Sequence, residues 1–170
     1  MKRVLLLVLA CLSSTALADV KIPNTKVSYR VASDPMTDRN ASMVFIDAKE
    51  DPSGQTYVTV VCDAGLPTFR MYTRDPLAAP YELDFNLPLY YRVDSGPIER
   101  VSSWPRKDIK TGRVTVTESE AADSVTMTFA LMSAQKQVVI RFNHYTGRQI
   151  TYTFPTSGFR QAFTAVKNCR

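Results

Sequence analysis

The stretch "ASMVFIDAKEDPSGQTYVTVVC", residues 41–62, decides the fold class. Two runs rich in β-branched and aromatic residues flank "DPSGQ" at 51–55. There, Pro52 and Gly54 are placed for a β-turn. The pattern predicts two strands around a turn. On the second strand, Val58, Val60 and Cys62 share one face, because strand side chains alternate. Cys62 therefore points inward with two valines.

The same alternation of strand-like runs and turn chemistry continues in both directions. "KVSYRVAS" (26–33) precedes the turn "DPMTDRN" (34–40), and "TFRMYTR" (68–74) follows. Residues 75–88 carry Pro76, Pro80 and Pro88, which predicts a long irregular connection with little ladder pairing. "LYYRVDSGP", "RVTVTES" and "KQVVIRFNHY" are further strand candidates, the last turning at Thr146 and Gly147 into "QITYTFP". These runs predict an α+β, β-rich domain: an antiparallel sheet or sandwich with a C-terminal helix. In "SGFRQAFTAVKNCR", Phe159, Ala162, Phe163 and Val166 fall at helical spacing, with Ser157 as N-cap. Residues 120–134 are ambiguous. Val125, Phe129 and Met132 fit a helix face, while Val125, Met127, Phe129 and Leu131 fit a strand face. The alanine-rich start favours helix.

The first 18 residues have the three parts of a secretory signal. Lys2 and Arg3 are followed by nine apolar residues (4–12), then by Ala16-Leu17-Ala18 as an A-x-A cleavage site. Nine apolar residues fall short of the about 20 that span a bilayer as a helix. "VLAC" at 8–11 offers a rival reading, lipidation at Cys11, but few residues precede it; cleavage after Ala18 fits better. The expected organisation is a signal at 1–18 and one exported domain at 19–170, periplasmic or secreted, with no stable transmembrane segment. Loss of Lys2 and Arg3 lowers the net charge from +5 to +3, too little to argue for nucleic acid. Cys62 and Cys169 remain, and two cysteines in an oxidising compartment predict one disulfide. Cys169 lies three residues after Val166, near the apolar stripe of the last helix. The bridge should pin that helix to the sheet.

Sites of chemistry are sparse. Asp34 and Asp38 in "DPMTD" have the spacing of an acid/base or cation pair, but Asp34-Pro35 also opens a turn that Asp38 can cap. The sequence lacks the alternate acids, central glycine and closing glutamate of a helix-flanked calcium loop. His144 is the only histidine and ends the alternating run Val138, Ile140, Phe142. There is no G-x-S-x-G elbow, and nitrogen and sulfur ligands are too few for zinc. The reading assigns no catalytic residue, no metal and no cofactor. "NAS" at 40–42 is a formal glycosylation sequon. Tyr72, Tyr81, Phe85, Tyr90, Tyr91 and Trp104 are candidates for an aromatic groove. Arg70 and Arg74 should flank Tyr72 on one strand face. The competing expectation is core packing for the rings and a solvated face for the arginines.

Five segments, in order, carry a resemblance: "DPMTDRNASMVF", "VTVVC", "YRVDSGP" with Trp104 following, "VVIRF", and "TYTFPTSGFRQAFTAVKNC". Over residues 27–169 the chain resembles the TagO/VasI family of exported proteins associated with type VI secretion. The resemblance implies a small exported β-rich domain with a Cys62–Cys169 bridge and a helix before "VVIRF", which resolves 120–134 as helix. It implies no catalytic residues. It singles out Asp34, Met36, Asp38, Arg92, Asp94, Trp104 and Arg141 as a shared surface or as fold determinants. The segment "RDPLAAPYELDFNLPLYY" departs from the family pattern and leaves the partner open.

The candidate binding surface is therefore Arg70, Tyr72, Arg74, Tyr91, Arg92, Asp94 and Trp104. The expected function is a non-enzymatic binding or accessory domain at the cell envelope, with an envelope protein or wall polymer as partner. The alternatives are a secreted hydrolase using Asp34, Asp38 or Asp94 with His144, and an inhibitor module for a partner enzyme.

Overall fold

The computed structural model describes residues 18–79 and 83–170; the signal expected at 1–18, except for Ala18, and Tyr81 lie outside them. The described residues form ten strands and two α-helices. These are β1 (Val20–Lys21), β2 (Val27–Arg30), β3 (Met43–Asp47), β4 (Tyr57–Asp63), β5 (Leu66–Tyr72), β6 (Leu87–Val93), β7 (Ile98–Lys107), β8 (Val114–Ser119), α1 (Ala121–Ser133), β9 (Gln137–Asn143), β10 (Gln149–Pro155) and α2 (Phe159–Ala165). All strands pair antiparallel in one sheet, in the order β1-β2-β3-β4-β5-β8-β7-β6-β9-β10. The domain is β-rich, as the alternating runs predict, and a single antiparallel sheet rather than two.

That order explains the two long connections. After β5 the chain skips two strand positions, and the β6-β7-β8 meander runs back to pair with β5. The proline-rich segment from 73 to 86 makes the skip. From β8 the chain must recross β7 and β6 to start β9, a span of about 14 Å at about 4.8 Å per strand. Helix α1 makes this crossing; 13 residues at 1.5 Å each reach about 20 Å.

Helix α1 buries a different face from the one its apolar spacing suggests. Val125 is 48% exposed and Phe129 71% exposed, while Ser124, Met127, Thr128, Ala130 and Leu131 are buried. The buried hydroxyls are satisfied. Ser124 Oγ accepts the Phe69 N–H at 3.0 Å and donates to the Ser119 carbonyl at 2.9 Å. Phe69 lies one residue past the last β5–β8 rung, Arg70–Glu118, so the serine replaces the missing strand.

Strand β7, the longest, is absent from the apolar pattern of the sequence. It is central in the sheet yet contains Ser102, Ser103 and Pro105. Pro105 lies past the last rung to β6, Leu87–Ser103, where β7 has a neighbour on one side only. Pro67 on β5 and Pro88 on β6 also sit where only one neighbouring strand reaches, and Pro155 is on the edge strand β10. A proline lacks the N–H a second ladder needs, so each is placed where it costs no rung.

The sheet curls until β10 meets the chain just past β3. The Lys49 N–H, just past β3, donates to the Thr153 carbonyl of β10 at 2.8 Å, and the Thr153 N–H donates to Glu50 Oε2 at 2.8 Å. Inside the curl, Val44, Ile46, Val60, Phe69 and Met71 meet Leu89, Ile140, Phe142 and Phe154 in one core. Helix α2 covers β2 and β3 with Phe159, Ala162 and Phe163. Its N-cap is Gly158, not Ser157. Gly158 has φ 89°, and a Cβ there would stand 2.9 Å from Ile22 Cγ2.

The Cys62–Cys169 disulfide joins β4 to the turn Lys167–Cys169 just beyond α2, with the two Cα atoms 4.8 Å apart. All three residues of that turn have positive φ, 58°, 52° and 60°. A left-handed run of non-glycine residues is unfavourable and needs external support. The bridge supplies part of it. Asn40 supplies the rest, donating from Nδ2 to the carbonyls of Val166 (2.9 Å) and Arg170 (3.2 Å).

Candidate functional site

The outward residues of β3, β4, β5, β8 and β7 line up in two rows across the sheet. One row is Phe45–Thr59–Arg70–Glu118–Trp104, and the next is Asp47–Tyr57–Tyr72–Val116–Arg106. At about 4.8 Å per strand the rows run about 20 Å. Arg70, Tyr72 and Trp104, expected on a binding surface, are thus brought together on one face.

Most of the aromatic and charged side chains in these rows are held by a neighbour. The Tyr57 and Tyr72 rings stack at 4.6 Å and 10°. Burial, with Tyr72 alongside, pushes the Tyr57 hydroxyl up to about 12. Arg70 Nε sits 2.6 Å from Glu118 Oε2, and Arg106 Nη2 is 3.7 Å from the other Glu118 oxygen. Burial works against the Arg70 charge, but the Glu118 carboxylate more than offsets it and holds the guanidinium pKa above its ordinary value. Trp104 Nε1–H donates to Glu120 Oε1 at 2.9 Å. Tyr57, Arg70, Tyr72, Arg106 and Lys107 line a shallow depression of about 420 Å³. Rigid aromatics and a fixed guanidinium beside an open depression suit recognition of a partner surface.

Other expected members of the surface lie elsewhere. Arg74 does not flank Tyr72, because β5 ends at Tyr72 and the chain turns. Its guanidinium reaches Asp51 (4.0 Å) and Asp75 (3.8 Å) instead. Asp75 also accepts from the Tyr152 hydroxyl and lies 3.6 Å from Arg148, tying the loop after β5 to β10. Tyr91 points into the core and donates its hydroxyl to Glu99; burial and that carboxylate push its pKa well up. Arg92, one residue on, points outward beside Tyr90.

Asp94 is a clamp. Its carboxylate accepts the backbone N–H groups of Gln135 (2.8 Å), Lys136 (2.9 Å) and Gln137 (2.9 Å), fixing the entry to β9 against the turn after β6. These bonds, from Gln135 foremost, hold its pKa below the ordinary carboxylate value. Asp34 does similar work in its own turn, accepting from the Met36 N–H, the Thr37 N–H and the Thr37 hydroxyl at 2.9–3.0 Å. Asp38 closes that turn with φ 56°, its N–H donating to the Asp34 carbonyl at 2.9 Å. "DIKTGR" at 108–113 repeats the arrangement of "DPMTDR" at 34–39. Asp108 accepts from Lys110 and Thr111, and Gly112 stands where Asp38 does. His144 bonds Thr146 Oγ1 through Nδ1 at 2.8 Å in the β9–β10 turn. Asp34, Asp94 and His144 therefore belong to three different turns and do not share a site. Asn40 of the sequon is fully engaged, since its Oδ1 accepts the Ser42 N–H at 3.0 Å.

Sequence reasoning overlooked Tyr57, Arg106 and Glu118. Tyr57 had a usable signal: it alternates with inward Val58 and Val60, so it faces out on a strand already identified. Arg106 and Glu118 become neighbours only through the β8–β7 pairing, which no local pattern announces. No described helix is long and apolar enough to cross a membrane. Comparison with family models, curated proteins and solved structures finds no match to this chain.

Proposed function

We propose that this chain is an exported, non-enzymatic binding domain of the cell envelope that holds a protein partner against the outer face of its sheet. The observation that carries the reading is the pair of cross-strand rows, which gather Arg70, Tyr72 and Trp104 on one rigid face. The disulfide supports an oxidising compartment. The carboxylates that a hydrolase would use support it too, since Asp34 and Asp94 are taken up in holding turns. The resemblance to the TagO/VasI family adds the expectation that the partner belongs to a type VI secretion apparatus.

The test is chemical cross-linking in intact cells, with partners identified by mass spectrometry, for the wild type and for Tyr72→Ala with Trp104→Ala. Recovery of an envelope or secretion-apparatus protein that drops in the double variant supports the proposal. Equal recovery from both moves the interface off this face. Hydrolysis of wall, glycan or ester substrates that is lost in Asp34→Asn or Asp94→Asn overturns the non-enzymatic reading.

A further inference from the structure

The remaining half of the outer face, on β7, β6 and β9, is built differently. Arg100 of β7 and Arg141 of β9 lie directly opposite Tyr90 of β6, one on each side. Arg92, two residues along β6, lies opposite Ile98 and Val139 in the next row. Directly opposed residues have Cβ atoms about 5 Å apart, and diagonal neighbours about 7–8 Å. Three guanidinium groups therefore surround one tyrosine ring within the reach of their side chains. All three are exposed, and none of them forms an ion pair among the described residues. Arg141 Nε donates only to a neutral hydroxyl, Thr151 Oγ1, at 3.1 Å.

The absence of local neutralisation follows from register. No outward position on the described β6, β7, β9 or β10 strands carries an aspartate or glutamate. Glu99 is on β7 but points to the inner side, where Tyr91 holds it. Like charges placed side by side destabilise a sheet. An anion bound between them removes that cost.

We propose that this patch is a binding site for a phosphorylated sugar of a soluble or wall-borne glycan. Arg92 and Arg141 line one cavity with Tyr90, and Arg100 is placed beside that ring by register. Together they offer more donors than the two oxygens of one carboxylate accept, and suit the oxygens of a phosphate. The Tyr90 ring between Arg100 and Arg141 is a platform for the sugar that carries the phosphate. Tyr90, Arg92, Ile98, Val139, Arg141 and Gln149 line a cavity of about 230 Å³. Val139 is half-buried in its wall and Ile98 stands exposed beside it. A soluble sugar and a lipid headgroup share the phosphate chemistry, and the vesicle arm of the experiment separates them. The site lies on the other half of the face from the proposed partner-binding rows and goes beyond that reading. Either can fail without the other.

The experiment is an amide NMR titration of the oxidised protein with glucose 6-phosphate, glucose and inorganic phosphate, alongside co-sedimentation with phosphatidylglycerol vesicles. Expected are saturable shifts around Tyr90, Arg92 and Arg141 with glucose 6-phosphate, weaker ones with phosphate and none with glucose. Arg92→Gln with Arg141→Gln should weaken binding at least tenfold. Tyr90→Ala should abolish the preference for the sugar phosphate over phosphate. Arg106→Gln, on the other half, should leave binding unchanged. Circular dichroism confirms that each variant is folded. Absence of saturable shifts, equal binding by the double arginine variant, or vesicle binding in preference to the sugar phosphate overturns the proposal.

Discussion

On one half of the outer face, Arg70 and Arg106 share Glu118 and two tyrosines stack beside them. On the other half, Arg92, Arg100 and Arg141 stand around Tyr90 with no carboxylate among them. Both halves combine arginine with tyrosine on the same sheet. In the first, the charges are committed to each other and the rows are part of the fold. In the second, the charges do nothing for the fold and remain available to a ligand. A surface arginine is informative about binding when the register, and not only the sequence, shows what faces it.

The largest expected effect tests how much the first half depends on its covalent support. The bridge leaves from β4, which carries Tyr57, and closes a 107-residue separation. In the chain-entropy picture Cys62→Ser should cost about 4 kcal/mol of stability in urea unfolding. The loss should show first as hydrogen exchange in β4 and at 167–170.

Glu118→Ala turns the first half into an imitation of the second. It leaves Arg70 and Arg106 adjacent and unpaired, and should cost about 1–3 kcal/mol. If the comparison is right, the variant also gains affinity for inorganic phosphate at this half, which NMR would report.

Acid acts on the second half. The pKa of Asp94 is depressed in the folded protein, so its contribution is complete above the ordinary value of 3.8. It is lost as pH falls through the lower folded value. Urea midpoints should therefore drop in that window, and the drop should shrink in Asp94→Asn, whose midpoint is already lower at neutral pH. An equal drop in the variant would assign the acid sensitivity to Asp34, Asp51 and Asp108, whose carboxylates are also depressed.

Tyr72→Ala removes the ring stack and should cost about 1 kcal/mol beyond the lost area. Arg92→Gln or Arg141→Gln should change stability by no more than about 0.5 kcal/mol in either direction, because both are exposed and the Arg141–Thr151 hydrogen bond is solvent-accessible. A large loss there would erase the contrast between the two halves.

The sequence makes the β3–β4 hairpin, the last helix and the cysteine pair legible, because each is announced by local periodicity or by parity. Strand β7 is not, since its apolar side is interrupted by Ser103, whose hydroxyl bonds the Leu87 carbonyl and Thr117, and by Pro105, which lies past the last rung to β6. The buried face of α1 runs against its apolar spacing because Ser124 and Thr128 are buried and spent on backbone groups, while Val125 and Phe129 look outward. Within the candidate surface, Tyr91 and Tyr90 show how far period two can go. Leu87, Leu89 and Tyr91 form the inward set of β6, so Tyr90 and Arg92 belong together outside. The grouping of Arg92 with Arg100 and Arg141 needed the strand order, because β9 follows β6 in space and not in sequence.

The meeting of β10 with the residues after β3 bears on how anything can be recognised. Thr153 has both its N–H and its carbonyl occupied by Lys49 and Glu50, and Pro155 has no N–H to offer. At the opposite edge of the described sheet, β1 is two residues long. Strand addition, in which a partner extends a sheet through its own backbone, needs a longer free edge than either offers. Recognition then falls to side chains on the broad face, which place no demand on the partner's backbone conformation and admit one that is helical, looped or not a peptide at all.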